Sequence, residues 1–122
     1  MPAPEKIRHF KLVPAAKAEF AALEPAGRIE LAAAMKRYEK GRQFKREVKK
    51  LTSASVTDSA GKRYALYEIR VNVGNNPFRL LFAHVGRSSQ LCLGVTAIYK
   101  NQQDLPKEDR DRALDRLKSR LR

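Results

Sequence analysis

The stretch Tyr64-Ala65-Leu66-Tyr67-Glu68-Ile69-Arg70-Val71-Asn72-Val73 has a period of two: Ala65, Tyr67, Ile69, Val71 and Val73 fall on one face, and Tyr64, Leu66, Glu68, Arg70 and Asn72 on the other. It reads as a half-buried strand. It runs into Gly74-Asn75-Asn76-Pro77, residue types that favour a turn, and Phe78 to Val85 then forms a second apolar run. Gly86-Arg87-Ser88-Ser89 turns the chain once more into Leu91 to Tyr99. The three runs predict an antiparallel meander. Just upstream, Thr52 to Gly61 is polar and Ser-rich and predicts a loop or a weak hairpin arm, so the sheet has three strands, or four if that arm pairs.

Helix signals lie on both sides of the meander. Pro14 opens an Ala-rich stretch from Ala15 to Leu23 that Pro25 stops, and proline suits the first position of a helix because its missing N–H has no partner there anyway. From Pro25, Ile29, Ala32, Ala33, Met35, Lys36 and Tyr38 follow spacings of three and four, with Gly41 placed as a C-terminal cap. Two helices joined at a proline predict a hairpin that must lay its apolar stripe on the sheet. Beyond Asp104-Leu105-Pro106, the residues Ala113, Leu114, Leu117 and Leu121 recur at helical spacing among charges. The expected order is α-α-β-β-β-α, an α+β fold in one domain spanning residues 1–122.

Charge sets the class of partner. Twenty-six Lys and Arg stand against thirteen Asp and Glu, a formal net charge of +13 in 122 residues. Solubility alone does not require so large an excess, and polyanions are the expected partners. The single cysteine, Cys92, cannot form an internal disulfide and sits in an apolar run, which predicts a buried, inert thiol and fits a reducing compartment. One Cys, the separated His9 and His84, and no paired-ligand spacing leave a zinc site without a ligand set, so neither metal nor cofactor is expected. Met1 to Lys6 lacks an apolar signal core, and no apolar run approaches the roughly 20 residues needed to span a bilayer. The expectation is a soluble, unexported, cytoplasmic protein.

The cations cluster. Lys36 to Lys50 holds eight Lys or Arg against Glu39 and Glu47. Such a run is either a solvated helix end and loop or a contact for phosphates, whose affinity would be salt-dependent. No duplex-reading motif and no aromatic pattern for base stacking of the RRM kind is present. Cations also sit on the strands: Arg70 near the end of the first, Arg79 near the start of the second, and Lys100 just after the third, next to Tyr99. Antiparallel pairing brings these strand ends to one rim, where three cations and a phenol would suit a phosphate, provided register puts them on one face. The plain alternative is strand-end charges pointing to water, with Arg70 paired to Glu68.

Lys49-Lys50-Leu51, Leu66-Tyr67-Glu68-Ile69-Arg70-Val71, Phe78-Arg79-Leu80-Leu81-Phe82 and Ile98-Tyr99-Lys100-Asn101 followed by Leu105-Pro106 together resemble the phage-derived HigB-like branch of the RelE/ParE toxin superfamily. The resemblance runs from about Lys49 to Ala113, with the two preceding helices in the expected place. It implies a RelE-like sheet with helices packed on it and a basic concave surface that takes mRNA in the ribosomal A site. It implies a type II toxin that cuts mRNA without a metal and is neutralised by a cognate antitoxin, expected to be a helix-turn-helix protein. In such cleavage the ribose 2′-hydroxyl attacks the adjacent phosphorus. The protein must help deprotonate that hydroxyl, stabilise the added negative charge and protonate the leaving 5′-oxygen.

Under the resemblance, Arg70 and Arg79 match the family's strand cations and would hold the phosphate with permanently charged forks. Lys100 matches the first lysine of the family's paired-lysine segment and would neutralise charge or shuttle a proton. Tyr99 would orient the ribose or stack on a base, or be a core tyrosine. Arg79 is expected at a strand edge, so that Arg79→Ala abolishes cutting and spares the fold. Lys45, Arg46, Lys49 and Lys50, with Lys62 and Arg63 ahead of the first strand, are the candidate RNA contacts. The chain departs from the pattern at Asn101, where the family has its second lysine, and in the length of the segment Thr52 to Arg63. It also lacks the C-terminal histidine cluster of some HigB proteins, and neither His9 nor His84, which reads as a packed strand residue, is assigned a role. Two other readings stay open: a ParE-like gyrase inhibitor that cuts nothing, and an accessory RNA-binding protein that acts by charge alone.

Overall fold

The computed structural model describes residues 8–86, 89–99 and 104–121. The meander expected from the alternating stretch is its centre: β3 (Arg63–Val73), β4 (Asn76–Val85) and β5 (Leu91–Tyr99) pair antiparallel in succession. The sheet is larger and more varied than three or four antiparallel strands. It has five strands and is mixed: β2 (Val48–Thr57) pairs antiparallel with β3, and β1 (His9–Leu12) pairs parallel with β5, giving the order β1-β5-β4-β3-β2.

Both missed strands have a physical reason for hiding. In β2 the register shifts between Lys50 and Ser55, and Ser53 takes a left-handed φ of 61°. A bulge of this kind erases the two-residue rhythm that marks a strand. The Ser-rich segment read as a loop is therefore an edge strand. β1 has four residues, too few for any periodicity, and its parallel partner is distant in sequence because a parallel pair needs a crossover. Here the crossover contains both N-terminal helices.

Those helices lie where the prolines put them: α1 (Pro14–Ala22) and α2 (Pro25–Glu39) each begin with proline at the first turn, and α3 (Lys107–Arg120) closes the described chain. α3 carries Glu108 and Asp109 in its first turn and Lys118 and Arg120 in its last, an arrangement that complements the helix dipole. The helix layers cover both faces of the sheet. On one, Leu31, Ala34 and Tyr38 of α2 pack on Ile69, Leu80 and Phe82. On the other, Ala113 and Leu117 of α3 pack on Leu66, Leu81 and Val95. β4 is buried without interruption from Pro77 to Ala83, as a strand covered on both faces must be. Gly27 lets α2 approach this closely, since a Cβ there would lie 2.2 Å from the Phe78 ring. Cys92 lies in the α2-side core, fully buried, and burial pushes its thiol up to about 11, consistent with an inert role.

Carboxylates finish one flank of the sheet. Glu39 accepts the outward N–H of Phe10 in β1 at 2.8 Å. Where β1 has ended, Glu19 of α1 accepts the N–H of Ala97 at 3.2 Å and a bond from Arg116 of α3 at 2.7 Å. Arg116 also donates to the carbonyl of Val95 at 2.9 Å, so one ion pair ties α1, β5 and α3 together. At the opposite flank, among the described residues, no strand lies beyond β2. No helix among them is long and apolar enough to cross a membrane.

Candidate catalytic cleft and nucleic-acid interface

Register decides which strand cations meet. Arg70 and Arg79 are direct cross-strand partners, Arg79 is opposite Ile98, and Lys49 is opposite Glu68. Alternation therefore puts Glu68, Arg70 and Arg79 on the α3 face in a row across β3 and β4. A cleft of about 150 Å³ opens there, lined by Arg46, Lys49 and Arg70 and by Glu47, Glu68 and Asp104.

Arg79 is not at an edge. β4 is flanked by strands on both sides, and Arg79, at 1% exposure, is among the largest fully buried side chains. Its Nε lies 3.9 Å from Glu68 Oε2, and its Nη1 donates to the carbonyl of Asp104 at 3.3 Å. The expectation that Arg79 sits at a strand edge is therefore overturned, and with it the ground for expecting its truncation to spare the fold. Burial sets the electrostatics of this pair. Desolvation pushes the Glu68 carboxyl above its usual range, opposed by Arg79, Arg70 and Lys49. Desolvation likewise lowers Arg79, opposed first by Glu68. Arg70 is only half-buried and reaches the cleft mouth, and its own N–H donates to the Glu47 carbonyl at 2.9 Å.

Glu47 anchors the turn that enters β2. It is 7% exposed, is paired with Arg37 of α2, and accepts the N–H of Phe44 at 3.1 Å. The Arg37 guanidinium lies 4.1 Å over the Phe44 ring, and its bond to Glu47 raises its pKa further. This knot holds Lys45 and Arg46 exposed on a short turn, with Arg46 at φ 67°.

The remaining candidates go elsewhere. Tyr99 has the opposite parity to Ile98 and falls on the α2 face. Its ring centroid is 4.9 Å from that of Phe78, and its hydroxyl donates to Asn76 at 2.9 Å. The structure does not bring it together with Arg70 and Arg79. Lys100 and Asn101 lie outside the described residues.

Lys50, Lys62 and Arg63 line a second depression of about 310 Å³ on the α2 face, with Arg8, Tyr64, Tyr67 and His84 and with no carboxylate among the lining residues. Arg63 donates from Nε to Ser55 Oγ at 2.9 Å, and the Lys62 ammonium lies 5.1 Å from the Tyr64 ring centroid. Asp58 sets the hairpin by accepting from the N–H groups of Ala60 and Lys62 and from the Tyr64 hydroxyl. At the groove floor, His84 Nε2 is 2.6 Å from the Tyr38 hydroxyl, and the imidazole meets the Tyr67 ring edge-on at 4.6 Å. Burial, with Arg8 adding to it, lowers the His84 pKa, while burial pushes Tyr38 up to about 12, so both are neutral at pH 7. The sequence pattern assigns His84 no role and does not single out Arg8 or Tyr67. Parity groups Tyr67 with the α2 face, but the Tyr67–Phe82 register that sets His84 beside it becomes visible only in three dimensions.

The model of the family described as Phage derived protein Gp49-like (DUF891) matches residues 18–118. Two curated relatives, each named "Probable endoribonuclease HigB1" and from the CDC 1551/Oshkosh and ATCC 25618/H37Rv strains of Mycobacterium tuberculosis, are 36% identical to the chain over 105 residues. The match covers 86% of this chain and 73% of each relative.

Proposed function

The chain belongs to the phage-derived Gp49-like family, a HigB-like branch of the RelE superfamily, and from that premise we propose that it is the toxin of a type II toxin–antitoxin system, an endoribonuclease that cuts mRNA on the ribosome in the cytoplasm. The observation that carries the reading is the direct pairing of Arg70 with Arg79 beside a cleft whose mouth adds Arg46 and Lys49. Two arginines on rigid neighbouring strands hold positive charge where a phosphodiester gains negative charge.

In the proposed reaction the 2′-oxygen bonds to phosphorus and the bond to the 5′-oxygen breaks. The hydroxyl proton leaves, and the departing oxygen takes up a proton, which yields a 2′,3′-cyclic phosphate and a 5′-hydroxyl. Arg70, half-exposed, is the residue that touches the phosphate. Arg79 supplies charge from behind and, with Glu68, fixes the row; Lys100 completes the cation set that the resemblance implies. An antitoxin with an acidic contact surface would cover the basic face.

One observation favours a second reading, RNA binding without cleavage: Arg79 is committed to Glu68 and Asp104 inside the protein. A translating extract separates the two. The nuclease reading expects transcripts cut within reading frames and carrying cyclic or 3′-phosphate ends. Intact transcripts with salt-sensitive RNA binding support the second reading, and intact transcripts with inhibited DNA supercoiling support a gyrase-directed toxin.

A further inference from the structure

The cleft beside Arg70 is small and charge-balanced, with three carboxylates facing three cations. It can grip one linkage but offers little to the rest of an RNA chain. The α2-face groove is its complement: Arg8, Lys50, Lys62 and Arg63 converge there with no carboxylate among the lining residues. Asp58, which accepts from Tyr64 and lies beside Lys62 at the rim, offsets only part of this charge, and an anion in the groove would relieve the rest. Phosphate alone would need only the cations. The groove is also lined by the half-buried rings of Tyr67 and His84, which are packed from within on Phe82 and Tyr38, so that only the parts left facing the groove are offered to a base.

The two sites are joined by adjacent residues of one edge strand. In β2, Lys49 is opposite Glu68 and Lys50 is opposite Tyr67, so Lys49 serves the cleft and Lys50 the groove. Among the described residues no strand covers this flank. We propose that the groove of Arg8, Lys50, Lys62, Arg63, Tyr67 and His84 is a second binding site for single-stranded RNA, reached by a chain that crosses the open β2 edge from the cleft. This rests on the reading that the substrate is RNA and adds where the uncut part of it is held.

The test uses a fluorescent 2′-O-methyl oligoribonucleotide, which lacks the attacking hydroxyl and reports binding alone, read by anisotropy over a salt series. Lys50, Lys62 and Arg63 are exposed, so the triple variant Lys50→Ala/Lys62→Ala/Arg63→Ala should keep the wild-type circular dichroism spectrum. Its affinity should fall by about tenfold or more, and its log–log salt slope should flatten by about 2, at roughly 0.7 per lost single-strand phosphate contact. Unchanged affinity and slope overturn the groove, whatever happens to transcripts. A duplex of the same length that competes as well as the single strand also overturns it, because stacked bases in a duplex offer no free face. A wild-type protein that binds the oligonucleotide yet cuts no transcript overturns the nuclease reading and leaves the groove standing.

Discussion

The α3 face and the α2 face of the same sheet both carry arginine and lysine, yet they treat charge in opposite ways. On the α3 face, the central charge is paired, desolvated and fixed by register, Arg79 with Glu68 in the core, and the cations that line the cleft face carboxylates. On the α2 face beyond the helix, Lys50, Lys62 and Arg63 are exposed and Arg8 is half-buried, and no carboxylate lines their groove. Buried pairs cost desolvation and return geometry, whereas exposed like charges cost little structure and return long-range attraction. The first arrangement suits chemistry at one bond and the second suits holding a strand.

The comparison breaks most directly at Arg79. Arg79→Ala leaves Glu68 buried without its main counter-charge and should destabilise the fold by about 3–5 kcal/mol; chemical denaturation checks this, and a loss below about 1 kcal/mol would mean that the pair is not buried in solution. Replacing both partners, Arg79→Met with Glu68→Leu, should recover much of that loss. Next comes Arg70→Ala, which should lower mRNA cutting by about 10²–10³-fold, the cost typical of removing one preorganised charge-stabilising donor. Its half-exposed position should hold the stability change to about 1 kcal/mol. Full cutting by this variant would remove the α3 face from the chemistry.

Smaller effects sharpen the other side. His84 has its folded pKa lowered below 6.5, so its contribution to stability is present above about 6.5 and is lost as pH falls through the depressed value. The groups facing it are Tyr38, Tyr67 and Arg8, the last of which also disfavours the imidazolium. Glu68 runs the other way: its raised pKa gives a contribution present below its ordinary value of 4.5 and lost as pH rises through the raised one. The signed difference, melting temperature at pH 7 minus that at pH 5, should therefore be lower in His84→Gln than in the parent, and an unchanged difference would place the titrating group elsewhere. Smallest of all, Lys62→Ala should leave stability within about 0.5 kcal/mol, as expected of an exposed side chain.

What could be read from the residues follows the same divide. The meander was legible because Tyr64 to Val73 alternates cleanly and Gly74 to Pro77 signals its turn. The helices were legible because Pro14 and Pro25 mark their starts. β2 was not, because its bulge breaks the rhythm, and β1 was too short to have one. That Arg70 and Arg79 come near one another could be anticipated from their places on adjoining strands, but their direct pairing is set by a register the residues do not fix. That Arg79 is buried could not, since exposure depends on α3 and on Asp104 arriving from far along the chain. Tyr99 was misplaced for a simpler reason, since its register opposite Phe78 puts it on the α2 face, away from Arg70 and Arg79.

The unequal flanks of the sheet carry one more consequence. An endless ribbon of copies needs two sticky sides per molecule, and here Glu39 already occupies the outward amide of Phe10, while among the described residues no strand lies beyond β2. Pairing through β2 would therefore join two molecules edge to edge, and the Phe10 amide held by Glu39 would give a third copy no donor at that position.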